Sequence, residues 1–505
     1  MIARVTTFAL DGLESRRVWV EADIRSGLPA FTIVGLADTA IREARERVRS
    51  AIVNSGYAFS GKRITVNLAP AYLRKIGPGF DLPLAVAILV ASDQLPQDAV
   101  EDCAIVGELS LTGGVRAIRG ALAIAEGTRR HLLPRLVLPR SRAQEAALVG
   151  GLTVLGIESL QEAVDVLAGR GEPPPPPEPA PETASEPLLD LADVRGQNAL
   201  IPALEVAAAG GHNVYMHGPP GTGKTMLARR LPSILPPMTP SEAVDVTRIQ
   251  SVSGLNGVHG GLVARRPFRA PHHTISASGL VGGGSHPLPG EATLAHHGVL
   301  FLDELSEFIR SSLEALRQPL EDGRVTIVRG QRVVAFPTRF MLVAASNPCP
   351  CGMGNDACRC SAADLARHLR RLSGPLLDRI DVLLPVGRPT AAALRAESAP
   401  SSDEVRLRVI AARERQAHRL SAYGLACNAQ MTPHVMRAVA DATPSAVSLL
   451  YELHDLHRLS ARGHSRVLRV ARTVADLDAS DQVEADHVHI AAGLRLEQPA
   501  SAALV

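Results

Sequence analysis

The stretch Gly218-Pro-Pro-Gly-Thr-Gly-Lys-Thr225 decides the fold, because it fills every position of the G-x-x-x-x-G-K-[ST] phosphate-binding pattern. Gly218, Pro219, Pro220, Gly221, Thr222 and Gly223 predict a turn whose backbone N–H groups point inward at phosphate oxygens, at the positive N-terminus of the helix that follows. Lys224 is expected to reach the β- and γ-phosphates of ATP, and Thr225 to ligate Mg²⁺. An apolar run at 213–216 precedes the turn and a helical run follows it, the order that a nucleotide-binding α/β unit needs. Composition sharpens the reading. Lys62, Lys75 and Lys224 stand beside fifty arginines, so a generic cation in this chain is Arg and a retained lysine points to specific chemistry.

Working outward, Gly298-Val-Leu-Phe-Leu-Asp-Glu304 is an apolar strand ending in two acids. Downstream of a P-loop, Asp303 is expected to hold Mg²⁺ through its water shell and Glu304 to polarise the attacking water. Phe340-Met-Leu-Val-Ala-Ala-Ser-Asn347 is a further buried strand ending in an amide, which places Asn347 where a γ-phosphate sensor stands. By itself, an Asn before Pro348 also reads as an ordinary turn residue.

A chain of 505 residues is too long for one core. The proline-rich stretch 171–187 cannot bury an interior and marks the clearest boundary. The expected fold class is multi-domain α/β: an α/β domain at 1–168, a linker at 169–187, a P-loop core at 188–395 and a helical lid at 396–505. A net charge of +2 exerts no global pull on nucleic acid or membrane, so any basic site is local. The longest apolar run, 82–91, is far short of the ~20 residues that cross a bilayer. Asp11 and Glu14 stand where a signal peptide needs an apolar core. A cytoplasmic protein without a membrane partner is expected.

The succession of P-loop, Asp-Glu strand, Asn strand and Ser373-Gly-Pro-Leu-Leu-Asp-Arg-Ile-Asp381 resembles an AAA+ ATPase. Arg265-Arg-Pro-Phe-Arg-Ala-Pro-His-His-Thr-Ile-Ser276, Pro289-Gly-Glu-Ala-Thr-Leu-Ala-His-His-Gly298 and Leu313-Glu-Ala-Leu-Arg-Gln-Pro-Leu-Glu321 resemble its magnesium-chelatase-like branch. Over nearly the whole length the chain is similar to the YifB/ComM family. That resemblance implies that Arg379 is an arginine finger reaching a neighbouring subunit's ATP. It also makes Arg462, in Ser460-Ala-Arg-Gly463, a sensor-2 arginine, although spacing alone suits a solvated charge equally well. A finger acting in trans implies an oligomer, and the family implies a homo-hexameric ring. The implied activity is ATP hydrolysis driving a motor along single-stranded or branched DNA, a branch-migration helicase in recombination and natural transformation. The alternative is a chelatase-type motor that remodels a protein partner. Against it, the chain has no D-x-S-x-S string, the nearest being Asp478-Ala-Ser-Asp481.

The first domain resembles the proteolytic domain of Lon and its S5-type relatives through Lys75-Ile-Gly-Pro-Gly-Phe-Asp-Leu82 and Val106-Gly-Glu-Leu-Ser-Leu-Thr-Gly-Gly-Val115. Gly79 stands at the nucleophile's place and Gly120-Ala-Leu-Ala-Ile-Ala125 contains no lysine, so no Ser–Lys peptidase is expected. A structural, assembly or DNA-guiding role remains.

Residues 323–336 alternate apolar and polar about a Gly-Gln turn and predict a β-hairpin with Arg329 and Arg332 near its tip. The hairpin is similar to the one that lines the pore of ring helicases, where arginines grip a phosphate backbone. A solvated hairpin is the alternative. Arg265, Arg266 and Arg269 with His272 and His273 offer a second contact surface or, equally, solvent-facing charge. Four of the six cysteines, Cys349, Cys351, Cys358 and Cys360, form two C-x-C pairs between Asn347 and Arg379. They could surround a tetrahedral Zn²⁺ or form a reduced, metal-free loop. Isolated Cys103 and Cys427 are expected in the core.

Overall fold

A helix with no polar stripe has to be covered on every side, and Asp81–Ala91 is: all of its residues are buried. The one charge it takes inside, Asp81, is met by Arg47 through bonds of 2.8 and 3.0 Å. In the computed structural model the described residues are all except 1, 37, 172–174, 176–188, 256–260, 285–286, 330–331, 355–357, 372–373, 396–397, 458 and 497–505. The spacer expected at 169–187 therefore falls almost wholly outside them.

The chain divides into two compact units, 1–185 with 240–263, and 186–239 with 264–505. The first is built on a seven-stranded sheet in the order Ala30–Val34, Arg63–Ala69, Glu14–Arg25, Ile2–Asp11, Cys103–Ile105, Arg135–Pro139, Thr153–Ile157. Ile2–Asp11 and Glu14–Arg25 form a long antiparallel pair, with Val5 facing Val20 across it. The apolar run around 103–109 forms two strands, Cys103–Ile105 and Glu108–Leu109, rather than one. Gly107 turns its N–H to the Gly79 carbonyl and accepts from Leu82 N, both at 3.0 Å, which ends pairing along that edge. Ser159 caps the helix Leu160–Leu167 by accepting from Glu162 N at 3.1 Å, and the Glu162 carboxylate accepts from Glu158 N, one residue before the cap, at 2.8 Å. The helix Pro240–Ser253, which follows the P-loop helix in sequence, belongs to this unit. Arg248 there makes a two-pronged ion pair with Glu126 at 2.9 and 2.7 Å.

The second unit carries five parallel strands in the order Phe268–Arg269, Val299–Leu302, Met341–Ser346, Val214–His217, Val382–Pro385. Three of them, Val214–His217, Val299–Leu302 and Met341–Ser346, are buried at every position, as parallel strands covered on both faces must be. The C-terminal helices Ser402–Leu420, Ala461–Leu477 and Ala485–Leu496 share this core. Val405, Val409, Val467 and Val470 pack in one cluster with Leu204, Val214 and Val382. No helix among the described residues is long and apolar enough to cross a membrane.

Candidate active site

In an open parallel sheet, loops leaving the carboxyl ends of neighbouring strands converge, and a ligand binds there. Val214–His217 lies between Met341–Ser346 and Val382–Pro385, with Val299–Leu302 one strand further. The P-loop, Asn347 and the acids Asp303 and Glu304 therefore leave the carboxyl ends of these strands together. Thr225 donates to Asp303 Oδ2 at 2.7 Å. Lys224 Nζ, almost buried, donates to the carbonyls of Gly218 and Pro219 at 2.6 and 2.8 Å and to Asn347 Oδ1 at 3.3 Å. Burial lowers the pKa of the Lys224 ammonium, and the Asp303 charge partly opposes that shift.

The turn fits a phosphate. Gly221 and Gly223 hold φ of 74° and 95°, and a Cβ on Gly221 would meet nothing within 4 Å, which leaves its outer face open. A Cβ on Gly218 would stand 2.0 Å from the Val386 carbonyl, so only glycine lets the loop start there. Pro219 accepts from Thr222 Oγ1 at 2.9 Å, which closes the turn. Gln197, which sequence reading passed over, braces it from outside by donating to the carbonyls of Thr222 and Gly387 at 2.9 and 2.8 Å.

Glu304 holds φ 52° and ψ 48°, a left-handed conformation that costs a non-glycine residue about 1–3 kcal/mol and collects at functional positions. Its N–H bonds Asp303 Oδ1 at 2.9 Å, and its carboxylate lies 3.2 Å from His273 Nδ1. His273 follows Phe268–Arg269, the strand beside Val299–Leu302, and sheet order brings it to the acid. The other members of that basic cluster are tied internally. Arg269 pairs with Glu291 at 2.6 and 2.8 Å, and Arg266 donates to the carbonyls of Pro236 and His297 at 2.6 and 2.8 Å.

Arg379 stands at the opposite, amino end of the strands, just before Val382–Pro385. Asn213, just before the P-loop strand, donates from Nδ2 to the Arg379 carbonyl at 3.0 Å, whereas the P-loop leaves the far end of that four-residue strand, about 13 Å away. The Arg379 side chain is 9% exposed and ion-paired with Glu321. Burial lowers its pKa, and the charges of Arg317 and Arg462 add to that effect. Arg462, whose charge reaches Arg379, lies at the start of the helix capped by Ser460. Beside them, Asp381 is buried and ties sheet to lid, with His212 at 3.5 Å, Arg466 at 3.6 Å and Arg469 at 3.8 Å. Burial alone would raise its pKa, but His212 and the two arginines hold the carboxyl down at about 2.

The hairpin forms over Arg324–Arg329 and Arg332–Pro337, with Arg329 opposite Arg332. Arg329 is exposed, as are Val328 and Val333 behind it. The turn residues 330–331 lie outside the described residues.

The four clustered cysteines come together, with Cys349 Sγ 3.3 Å from Cys351 Sγ and 3.6 Å from Cys358 Sγ. Backbone N–H groups of Arg359 and Met353 hold the Cys351 thiol down at about 6, which favours the thiolate, the form that binds metal. Cys103 and Cys427 are buried, as expected.

Comparison with known proteins agrees along the chain. Residues 190–394 match the magnesium chelatase subunit ChlI family, 20–142 the ChlI subunit of Mg-chelatase, and 399–495 the ChlI C-terminal family. The uncharacterized protein YifB of Salmonella typhimurium is 42% identical over 98% of this chain and 97% of its own length. The competence protein ComM of Haemophilus influenzae is 41% identical over 98% and 97%. An uncharacterized Mycobacterium tuberculosis protein is 43% identical over 98% of both chains. With a P-loop AAA+-like core, a helical C-terminal region and full-length relatives of this kind, the chain belongs to the YifB/ComM magnesium-chelatase-like family.

Proposed function

We propose that this protein is an ATP-hydrolysing ring motor, a homo-hexamer acting on single-stranded or branched DNA as a branch-migration helicase in recombination and natural transformation. The observation that carries the reading is the separation of functions across one sheet. Lys224, Thr225, Asp303, Glu304 and Asn347 gather at the carboxyl ends of the strands, and Arg379, which feels the charge of Arg462, stands at the amino ends. Arginines so placed are remote from their own chain's phosphates and suited to those of a neighbour. Thr225 and Asp303, already in contact, are the residues that would hold Mg²⁺, which when bound neutralises charge on the phosphates. Glu304 orients the attacking water and takes its proton, Asn347 positions the terminal phosphate, and the two arginines meet transition-state charge from the adjoining subunit.

The DNA half rests on the exposed arginine at the hairpin's end and on a relative named for competence. The first unit, with Gly79 where a peptidase would place its serine and no lysine in Ala121–Arg130, serves assembly or DNA guidance and cleaves no peptide. The cysteine cluster holds Zn²⁺, and the protein works in the cytoplasm. ATPase measurement with and without single-stranded and four-way-junction DNA tests this reading. Stimulation by DNA, and its loss in R329A/R332A with basal activity retained, are expected. Failure of any DNA to stimulate, with a labelled junction left unmoved, favours the second reading, a chelatase-type motor on a protein partner. That reading draws on the three ChlI segments and on 28% identity to the magnesium-chelatase 67 kDa subunit of Heliobacterium mobile over 188 residues.

A further inference from the structure

We infer that the four-cysteine site is a metal clamp on the nucleotide pocket, so that zinc occupancy sets the affinity for ATP; this rests on the zinc reading above. All four Sγ atoms lie within 4.8 Å of one another, and Cys351 Sγ and Cys358 Sγ are 3.9 Å apart. Zn–S bonds of ~2.3 Å in a tetrahedron require sulfur atoms about 3.8 Å apart, so the thiols already stand near the corners around one ion. They are too close together to enclose a cluster of several irons.

The loop they would staple touches the ATP machinery at three places. Cys349 follows Asn347, whose side chain bonds Lys224 Nζ, by two residues. Gly352, at φ 77°, lies against the P-loop itself, where a Cβ would come within 2.9 Å of Pro220 Cδ. Beyond Cys360 the chain enters the helix Ala362–Arg371, and buried His368 there places Nε2 3.0 Å from the Asn347 carbonyl oxygen. Both ends of the loop thus return to Asn347, and its middle is pressed on Pro220.

Among its described residues, apolar packing holds little of this segment. Among the described residues of 349–360 only Cys349 and Gly352 are buried, and Met353 is 45% exposed. Ordering such a loop costs roughly 1–2 kcal/mol per residue in backbone entropy, which four metal–sulfur bonds can offset and two buried residues cannot. Without the ion the segment is free to leave Pro220, and Asn347 loses the support that aims its amide at Lys224. Coupling between two sites is reciprocal, so bound nucleotide tightens zinc by the factor by which zinc tightens nucleotide.

The test uses the full-length protein purified without chelator, a fluorescent ATP analogue for affinity and elemental analysis for metal. One zinc per chain is expected. The double variant C358S/C360S is expected to lose it and to bind the analogue about tenfold or more weakly. G352A keeps all four thiols but drives a methyl group into Pro220; it is expected to retain zinc and still lose affinity. In the wild type, nucleotide is expected to slow transfer of zinc to a chromogenic chelator. Absence of zinc from the wild type overturns the metal reading. Zinc present, with unchanged analogue affinity in folded C358S/C360S and in wild-type protein stripped by chelator, overturns the clamp and leaves the metal reading standing.

Discussion

Thr225 donates its hydroxyl hydrogen to Asp303 Oδ2 at 2.7 Å, joining the first turn of the P-loop helix to the end of a strand 78 residues later. The two oxygens are close enough to share one cation's shell. Asp303→Asn retains a hydrogen-bonding group but removes the charge. It is expected to lower Mg²⁺-dependent hydrolysis by about 10²–10³-fold. Nucleotide binding in EDTA is expected to stay at the wild-type level, which a binding titration with and without Mg²⁺ checks.

Glu304→Gln is expected to bind ATP and hydrolyse it about 10²–10⁴-fold more slowly, the usual contribution of a positioned base. His273 contacts this carboxylate. Its effect should be one of positioning: His273→Ala lowers kcat by up to about 10²-fold and leaves KM near the wild-type value. A change confined to KM would contradict that assignment.

Arg379→Ala is expected to bind ATP normally and to lose about 10³–10⁵-fold in hydrolysis. Because Arg379 stands at the end of the strands away from its own P-loop, mixing R379A with K224A subunits should restore activity. Each mixed ring then contains interfaces with an intact P-loop facing an intact arginine. The same recovery is expected for R462A mixed with K224A. Mixtures as inactive as their components would exclude action in trans.

Asp381 makes stability depend on pH. Its folded carboxyl is held at about 2, below the ordinary 3.8, so its stabilisation is complete above about pH 4 and is lost as pH falls toward 2. The shift corresponds to about 2 kcal/mol. In thermal melts the difference between wild type and Asp381→Asn should narrow across that window. At neutral pH, Asp381→Ala strands the charges of Arg466 and Arg469 and is expected to cost about 3–5 kcal/mol.

Much of the candidate site was legible from local chemistry. Positions 218–225 need glycines at left-handed dihedrals and a lysine after them, and both demands are written into eight consecutive residues. The apolar runs at 299–302 and 341–346 ended in their acid and amide as parallel strands buried on both faces do. The role of His273 was not legible. His272-His273 reads as surface charge in any window of its length, and only the adjacency of two strands some thirty residues apart brings the ring to Glu304. Gln197 carried no pattern either, since its two carbonyl partners lie 25 and 190 residues away.

What the sequence determined by itself is what short-range physics can encode: the phosphate turn, the capped helices at Ser159, Ser401 and Ser460, the hairpin alternation and the supply of four thiols in one window. The tertiary structure decided which of these features meet. It put Arg379 within reach of the Arg462 charge and at the strand end away from the P-loop, placed Pro240–Ser253 with the first unit although it follows the P-loop helix, and laid Gly352 on Pro220. Strand order and the burial of whole faces settle such meetings, and those are sums over contacts between distant segments that no local periodicity records.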